Sequence, residues 1–317
     1  MAVARFSEPG DVQAISLSVI AFPGASNWPL WVGQQKGFFA GQGLKISLSI
    51  TPNSVHMARE LYTGGAHVAL TSMDNVVAYG RGEGEVSLGE PADFFAVMSV
   101  DDGLLSLMAQ PEHDAVSCLR GQTLAVDALT TGYALVLKEI LARHGLAESD
   151  VHYVSVGTGA ERYAALKEGR CAATLLNAPL CLAAESVGKI RLVRASTVMG
   201  PCQGVVAAAR RRWASDNVAL IHGFMRGYDA SLRWLCDPAN ADEARSLLVE
   251  RLPSLRSVAD GAYHVLITER GLDRTLRLRP QAVDAVVRLR ERYGARGQKP
   301  GLAEDYIDDD CWRAVFC

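Results

Sequence analysis

Apolar and polar positions along the chain change period in a repeating order. Residues 14–22 (AISLSVIAF), 44–50 (LKISLSI) and 66–70 carry the apolar or alternating pattern of strands. Between the first two, Trp31, Val32, Phe38 and Phe39 fall at helical spacing, and Gly41 and Gly43 are expected to end that helix. Thr51-Pro52-Asn53-Ser54 is a turn with Ser54 as candidate cap, and residues 55–62 form a short helix closed by Gly64-Gly65. Thr71-Ser72-Met73-Asp74-Asn75 caps a further helix running to about Arg81, and 94–100 and 104–109 read as strands.

From Val116 the same alternation starts again. A strand ends at Asp127, and Thr130-Thr131-Gly132-Tyr133 opens an amphipathic helix that ends at Gly145. Strand 151–156 leads to helix 160–167, strand 172–176 to Asn177-Ala178-Pro179 and a helix reaching Gly188, and 190–193 is one more strand. Residues 204–209 (GVVAAA) read as a return strand. Beyond Trp213 the pattern is helical over roughly 215–236, 240–251, 256–268 and 280–292, with Pro253 and Pro280 as breaks. In such strand–helix series the C-terminal ends of strands and the N-terminal ends of helices meet at one sheet edge, where free backbone N–H groups favour small polar ligands.

The runs "GFF…GLKISL…SVHMARELYTGGAHVAL", "LRGQTLAV", "HGLAESDVHYVSVG" and "ALKEGRCAATLLNAP" resemble bacterial periplasmic solute-binding proteins. The similar branch serves uptake of aliphatic sulfonates, nitrate and thiamine-pyrimidine precursors through ABC transporters. The resemblance covers residues 14 to about 294 and implies an α/β, two-lobed periplasmic-binding-protein-like (type 2) fold. Each lobe would be a mixed sheet flanked by helices, joined by a two-strand hinge, with extra C-terminal helices on lobe one. The implied division is 12–103 plus 209–317 for lobe one and 110–202 for lobe two, with crossovers at 104–109 and 203–208.

Ligand in that family sits between the lobes, held by the loops after the strands. By position, the implied ligand-binding residues are Asn27, Trp28, Ser54, His56, Ser72 and Asp74 in lobe one, and Asp127, Thr130, Thr131, Tyr133 and Asn177 in lobe two. Several have a second reading. Asn27, Ser54 and Asp74 also serve as helix caps or dipole partners, Trp28 as a core side chain, and His56 as a surface residue in a first helical turn. Two carboxylates, Asp74 and Asp127, oppose a purely anionic ligand, so an amino-bearing solute or a heterocycle with ring N–H donors fits better.

Relatives on this fold include enzymes, an aromatic sulfinate desulfinase and a thiamine-pyrimidine synthase. The desulfinase resemblance requires a cysteine after the first strand, and residues 22–27 contain none; His56 stands near the place of its histidine and is the catalytic candidate for an enzyme. The synthase requires a lysine near the second helix and clustered cysteines, and residues 51–70 contain no lysine. Binding is therefore favoured over catalysis, with a cytoplasmic enzyme or small-molecule sensor as the alternative.

Composition narrows the partners. With 317 residues, 49% of them hydrophobic, and a net charge of −3, the chain can fill two ordinary lobes and has no basic excess for nucleic acid. Seven cysteines (Cys118, Cys171, Cys181, Cys202, Cys236, Cys311, Cys317) are odd in number and lack Cys-x-x-Cys spacing, so neither a metal nor another cofactor is expected. The expected partners are a small-molecule ligand and, for a transport receptor, ABC membrane subunits, the chain itself being a monomer. Residues 1–13 carry no apolar leader core. The expectation is a periplasmic protein if a leader has been removed, and a cytoplasmic one if Met1 is the native start, which scattered thiols also suit.

Overall fold

A computed structural model describes residues 14–101, 103–294 and 301–317, so the leader reading on residues 1–13 lies outside the described residues. The first lobe is built from β1 (Ile15–Ala21), α1 (Trp28–Gln35), β2 (Leu44–Ile50), α2 (Ser54–Thr63), β3 (Val68–Ser72), α3 (Met73–Gly80) and β4 (Phe94–Ser99). The second follows with β5 (Leu105–Ala109), β6 (Thr123–Val126), α4 (Gly132–Arg143), β7 (His152–Ser155), α5 (Gly159–Lys167), β8 (Ala173–Asn177), α6 (Leu180–Ser186), β9 (Ile190–Arg194) and α7 (Ala195–Met199). The chain then returns to the first lobe as β10 (Val205–Arg210) and continues through α8 (Arg211–Asp216), α9 (Val218–Cys236), α10 (Ala241–Arg251), α11 (Ala259–Tyr263), α12 (Pro280–Tyr293) and α13 (Asp309–Phe316).

Two five-stranded sheets result, in the orders β2-β1-β3-β10-β4 and β7-β6-β8-β5-β9. In each, three parallel strands are followed by an antiparallel strand contributed from across the lobe boundary. Strands covered by helices on both faces need apolar side chains on both, and β3, β4 and β5 are buried almost along their whole length. The architecture is the expected α/β one, with mixed sheets and flanking helices.

The exchanged strands move the crossovers. The ranges 104–109 and 203–208 fall mostly on β5 and β10, each fully paired inside one sheet. The chain changes lobe between Ser99 and Leu105, and again between Met199 and Val205. These crossings are stitched together: the Asp101 carboxylate accepts from the Val205 N–H at 3.0 Å, and Gln203 Nε2 donates to the Asp101 carbonyl and to Ser99 Oγ, both at 2.9 Å. The run 104–109 reads as a crossover because a buried inner strand has no polar alternation to show which sheet it joins.

The C-terminal segment, expected on lobe one, packs there and also reaches lobe two. Helix α9 packs on α1, and α13 on α9 and β4, but α12 lies between α3 and α4 and so touches both lobes. Residues 253–258 pack on α6 of lobe two. One helix also ends early. Helix α1 stops at Gln35, where Gly37 adopts φ 74°, a left-handed turn open to glycine; the chain folds back and returns Phe39 to the core, stacked 5.7 Å from Phe224.

Candidate functional site between the lobes

The strand orders 2-1-3 and 7-6-8 each place a central strand between neighbours reached in opposite directions, and such a switch point opens a crevice beyond the strand C-termini. Here the two crevices face each other. The cleft between them, its open mouth included, is about 1030 Å³. It is lined from lobe one by the loops after β1, β2 and β3, and from lobe two by those after β6, β7 and β8.

Six of the eleven candidate residues line this cleft: Ser54, Ser72, Asp127, Thr131, Tyr133 and Asn177. Ser54 Oγ donates to the Glu85 carboxylate at the cleft wall. The helix cap is Asn53 instead, whose Oδ1 accepts from the His56 N–H at 2.9 Å. Ser72 caps α3 as expected, accepting from the Asn75 N–H at 3.4 Å. Asp127 Oδ1 accepts from Thr131 Oγ1 at 2.6 Å. The Tyr133 phenol is pushed well up by burial and by the Asp101 carboxylate, against the opposing Arg162 charge, so it remains a hydroxyl donor.

The other five candidates lie elsewhere. Asn27 is 1% exposed, and its amide donates to the Phe22 carbonyl at 2.7 Å, bracing the loop whose Phe22, Pro23 and Ser26 face the cleft. Trp28 is fully buried, edge-on to Tyr263 at 6.1 Å, at the start of a helix whose residues 28–33 are all buried. His56 is exposed and does not line the cleft, which leaves the one catalytic candidate outside the site. Asp74 is buried in a two-pronged ion pair with Arg290, at 2.8 and 2.6 Å, and Thr130 offers its carbonyl to the same guanidinium at 2.9 Å.

A residue missed in the sequence dominates lobe two's wall. Arg162 on α5 is 2% exposed and lines the cleft, with its Nη1 3.4 Å from Asp127 Oδ1 and its guanidinium carbon 5.0 Å from the Tyr133 ring centre. Its Nε is buried without a hydrogen-bond partner among the described residues. Its sequence signal was available: Arg162 shares a helix face with the buried Ala165 and Leu166, three and four residues on. Glu85, Asn75 and Thr158 also line the cleft. The charged lining is thus two carboxylates and one guanidinium, set among Phe22, Tyr133, Leu70 and Leu180.

Behind Tyr133 and Asn177 the gap narrows toward the crossovers, between apolar side chains such as Leu104, Met199 and Leu272 and the Cys202 thiol. Burial and the Asp74 carboxylate push Cys202 up to about 12, and burial takes Cys171 up to about 11, so both stay protonated and poorly nucleophilic at neutral pH. No cysteine lines the cleft among the described residues. No group of His, Cys, Asp or Glu side chains suited to a metal ion occurs among them, and no described helix is long and apolar enough to cross a membrane.

Residues 25–241, well over half of the chain, match the family described as NMT1/THI5 like. The chain belongs to the NMT1/THI5-like family. Among curated relatives of this NMT1/THI5-like chain, the riboflavin-binding protein RibY of Chloroflexus aurantiacus is 26% identical over 255 residues, 76% of this chain and 67% of that protein. Among solved structures, the ligand-binding component of an ABC-type import system from Staphylococcus aureus superposes with a TM-score of 0.75 at 14% identity, over 95% of this chain and 98% of that one. The alkanesulfonate-binding protein SsuA of Xanthomonas axonopodis pv. citri, bound to MOPS, gives 0.73 at 16%, over 96% and 99%. The desulfurization enzyme DSZB gives 0.63 at 12%, over 95% and 98%. These structural likenesses carry the two-lobed periplasmic-binding fold, which receptors and an enzyme share.

Proposed function

We propose that this NMT1/THI5-like chain is a solute receptor that holds a small heteroaromatic or polar molecule between its lobes for an ABC importer. The observation that carries this reading is Arg162: a buried guanidinium in the cleft wall, 5.0 Å from the Tyr133 ring centre, with an N–H that has no hydrogen-bond partner among the described residues. A buried donor left unmade is costly, and an acceptor on a bound solute removes that cost. The Tyr133 and Phe22 rings favour a flat partner, and on the facing lobe the Glu85 carboxylate and the Ser54 oxygen, whose proton already goes to Glu85, accept hydrogen bonds.

Charge narrows the class. Arg162 is already offset by Asp127, and Glu85 has no ion-pair partner among the described residues, so a simple monoanion meets net repulsion. A ring bearing both a carbonyl and N–H donors satisfies Arg162 and Glu85 together. The riboflavin-binding relative fits that chemistry, and the sulfonate-binding neighbours supply the fold. Transport by an ABC importer, and a location outside the cytoplasmic membrane, follow the neighbours that share this fold and are part of the same proposal.

A thermal-shift panel of riboflavin, aminopyrimidines, aliphatic sulfonates and nitrate tests it, followed by mass spectrometry of the solution. A ligand of the folded state at a hundredfold excess over Kd adds about 2.7 kcal/mol, a readily measured rise. A shift with a ring compound recovered intact supports the receptor. A shift with sulfonate or nitrate alone overturns the proposed class, and a compound of changed mass overturns the receptor in favour of an enzyme.

A further inference from the structure

Arg290 stands outside the cleft, on α12 near the far end of the sequence, yet it touches the loop that carries Asp127 and Thr131. Its side chain is 4% exposed and that of Asp74 is 7% exposed. Nε and Nη2 grip Asp74 Oδ1 and Oδ2 in lobe one, and Nη2 also donates to the Thr130 carbonyl of lobe two at 2.9 Å. We propose that Arg290 is a positioning residue for the lobe-two ligand loop, holding residues 127–131 against lobe one through the Thr130 carbonyl. The proposal deepens the receptor reading, on which its ligand arm rests.

The chemistry of the contact requires a donor at this place. The Asp74 carboxylate and the Thr130 carbonyl are both acceptors, and alone they would repel across the lobe boundary. They are also forced close: a Cβ placed on Gly132 would lie 2.5 Å from the Asp74 Cβ, so only glycine lets α4 start against that carboxylate. A planar guanidinium, with five N–H groups in a fixed fork, serves both acceptors at once, which a lysine ammonium cannot do in the same geometry. Arg290 is itself held from behind, where its Nη1 lies 3.9 Å from Glu83 Oε2, and Glu83 Oε1 is 2.9 Å from Arg81 Nε. From Thr130 the path to the cleft is one residue long, because Thr131 Oγ1 donates to the Asp127 carboxylate beside Arg162.

Hydrogen–deuterium exchange of the ligand-free protein tests the assignment. In Arg290→Met, amides within 127–135 should exchange at least tenfold faster, while peptides covering β2 and β7 keep wild-type rates. Arg290→Lys, which keeps the buried charge and serves if the methionine variant does not fold, should fall between. Glu139→Gln, which loosens α12 from α4 without touching Thr130, should leave 127–131 unchanged. Wild-type exchange in 127–135 for the arginine variants overturns the proposal, and so does an equal rise across both sheets. A riboflavin fluorescence titration forms the second arm, with affinity in Arg290→Lys expected to drop threefold to tenfold. If wild type does not bind riboflavin, the solute class is what fails, and exchange alone decides the role of Arg290.

Discussion

Arg162 Nη1 lies 3.4 Å from Asp127 Oδ1, and this pair faces the cleft from the ends of two different strand–helix turns in lobe two. The distance is long for a charge-assisted hydrogen bond, and the guanidinium keeps an unpartnered Nε. The pair is therefore built to be completed by a third group. Replacing Arg162 by methionine keeps much of the packing on Tyr133 and removes every donor. The expected result is a tenfold to hundredfold loss of ligand affinity, about 1.4 to 2.7 kcal/mol, in an isothermal titration. Arg162→Lys should not restore it, since the planar fork and the stacking are both lost.

Asn177 ends β8 at the cleft and makes no side-chain hydrogen bond among the described residues, so Asn177→Ala separates binding from folding. A several-fold loss of affinity is expected with the urea midpoint of the free protein nearly unchanged. An unchanged affinity would remove Asn177 from the contact set.

Trp28 and His56 behave oppositely to a ligand wall and a proton donor. Trp28→Ala empties a fully buried site and should cost roughly 3–5 kcal/mol of stability, measured by denaturant unfolding. His56→Ala is exposed and should leave both stability and ligand affinity at wild-type values.

Acid should loosen the tie between α4 and α12. Glu139 is 4% exposed and accepts from Arg143 Nε at 2.7 Å, Tyr293 Oη at 2.8 Å and Arg292 Nη1 at 2.9 Å. Burial alone would raise its carboxyl, but these donors and charges outweigh it and hold it below the ordinary 4.5. The unfolded chain then takes up the proton first. The contribution is complete above that ordinary value and is lost as pH falls through the folded one. Urea unfolding from neutral pH to about pH 3 should show a shallower acid decline in Glu139→Gln than in wild type.

The order of strands and helices was legible because each changes the period of its apolar residues, and the cleft loops were legible because they follow those strands. What failed was local or distant. Asn53 and Ser54 are adjacent good caps, and only the backbone path shows that Asn53 caps α2 while Ser54 turns to Glu85. Phe38 and Phe39 continue a helical spacing through a turn that Gly37 makes possible. Arg162 shares a helix face with Ala165 and Leu166, but that spacing alone does not show a buried guanidinium, which depends on the facing Tyr133 and Asp127. Asp74 looked like a ligand carboxylate because its partner Arg290 lies 216 residues away, beyond the reach of any spacing argument.

The central claim is a solute held between the lobes by Arg162, and a paired titration of wild type and Arg162→Met with riboflavin tests it most directly, with the flavin recovered afterwards for mass measurement. Saturable binding at one site per chain, weakened at least tenfold in the variant and returning intact flavin, is the predicted result. Equal affinity in both proteins would place the solute outside this cleft wall, and flavin of altered mass would contradict a receptor.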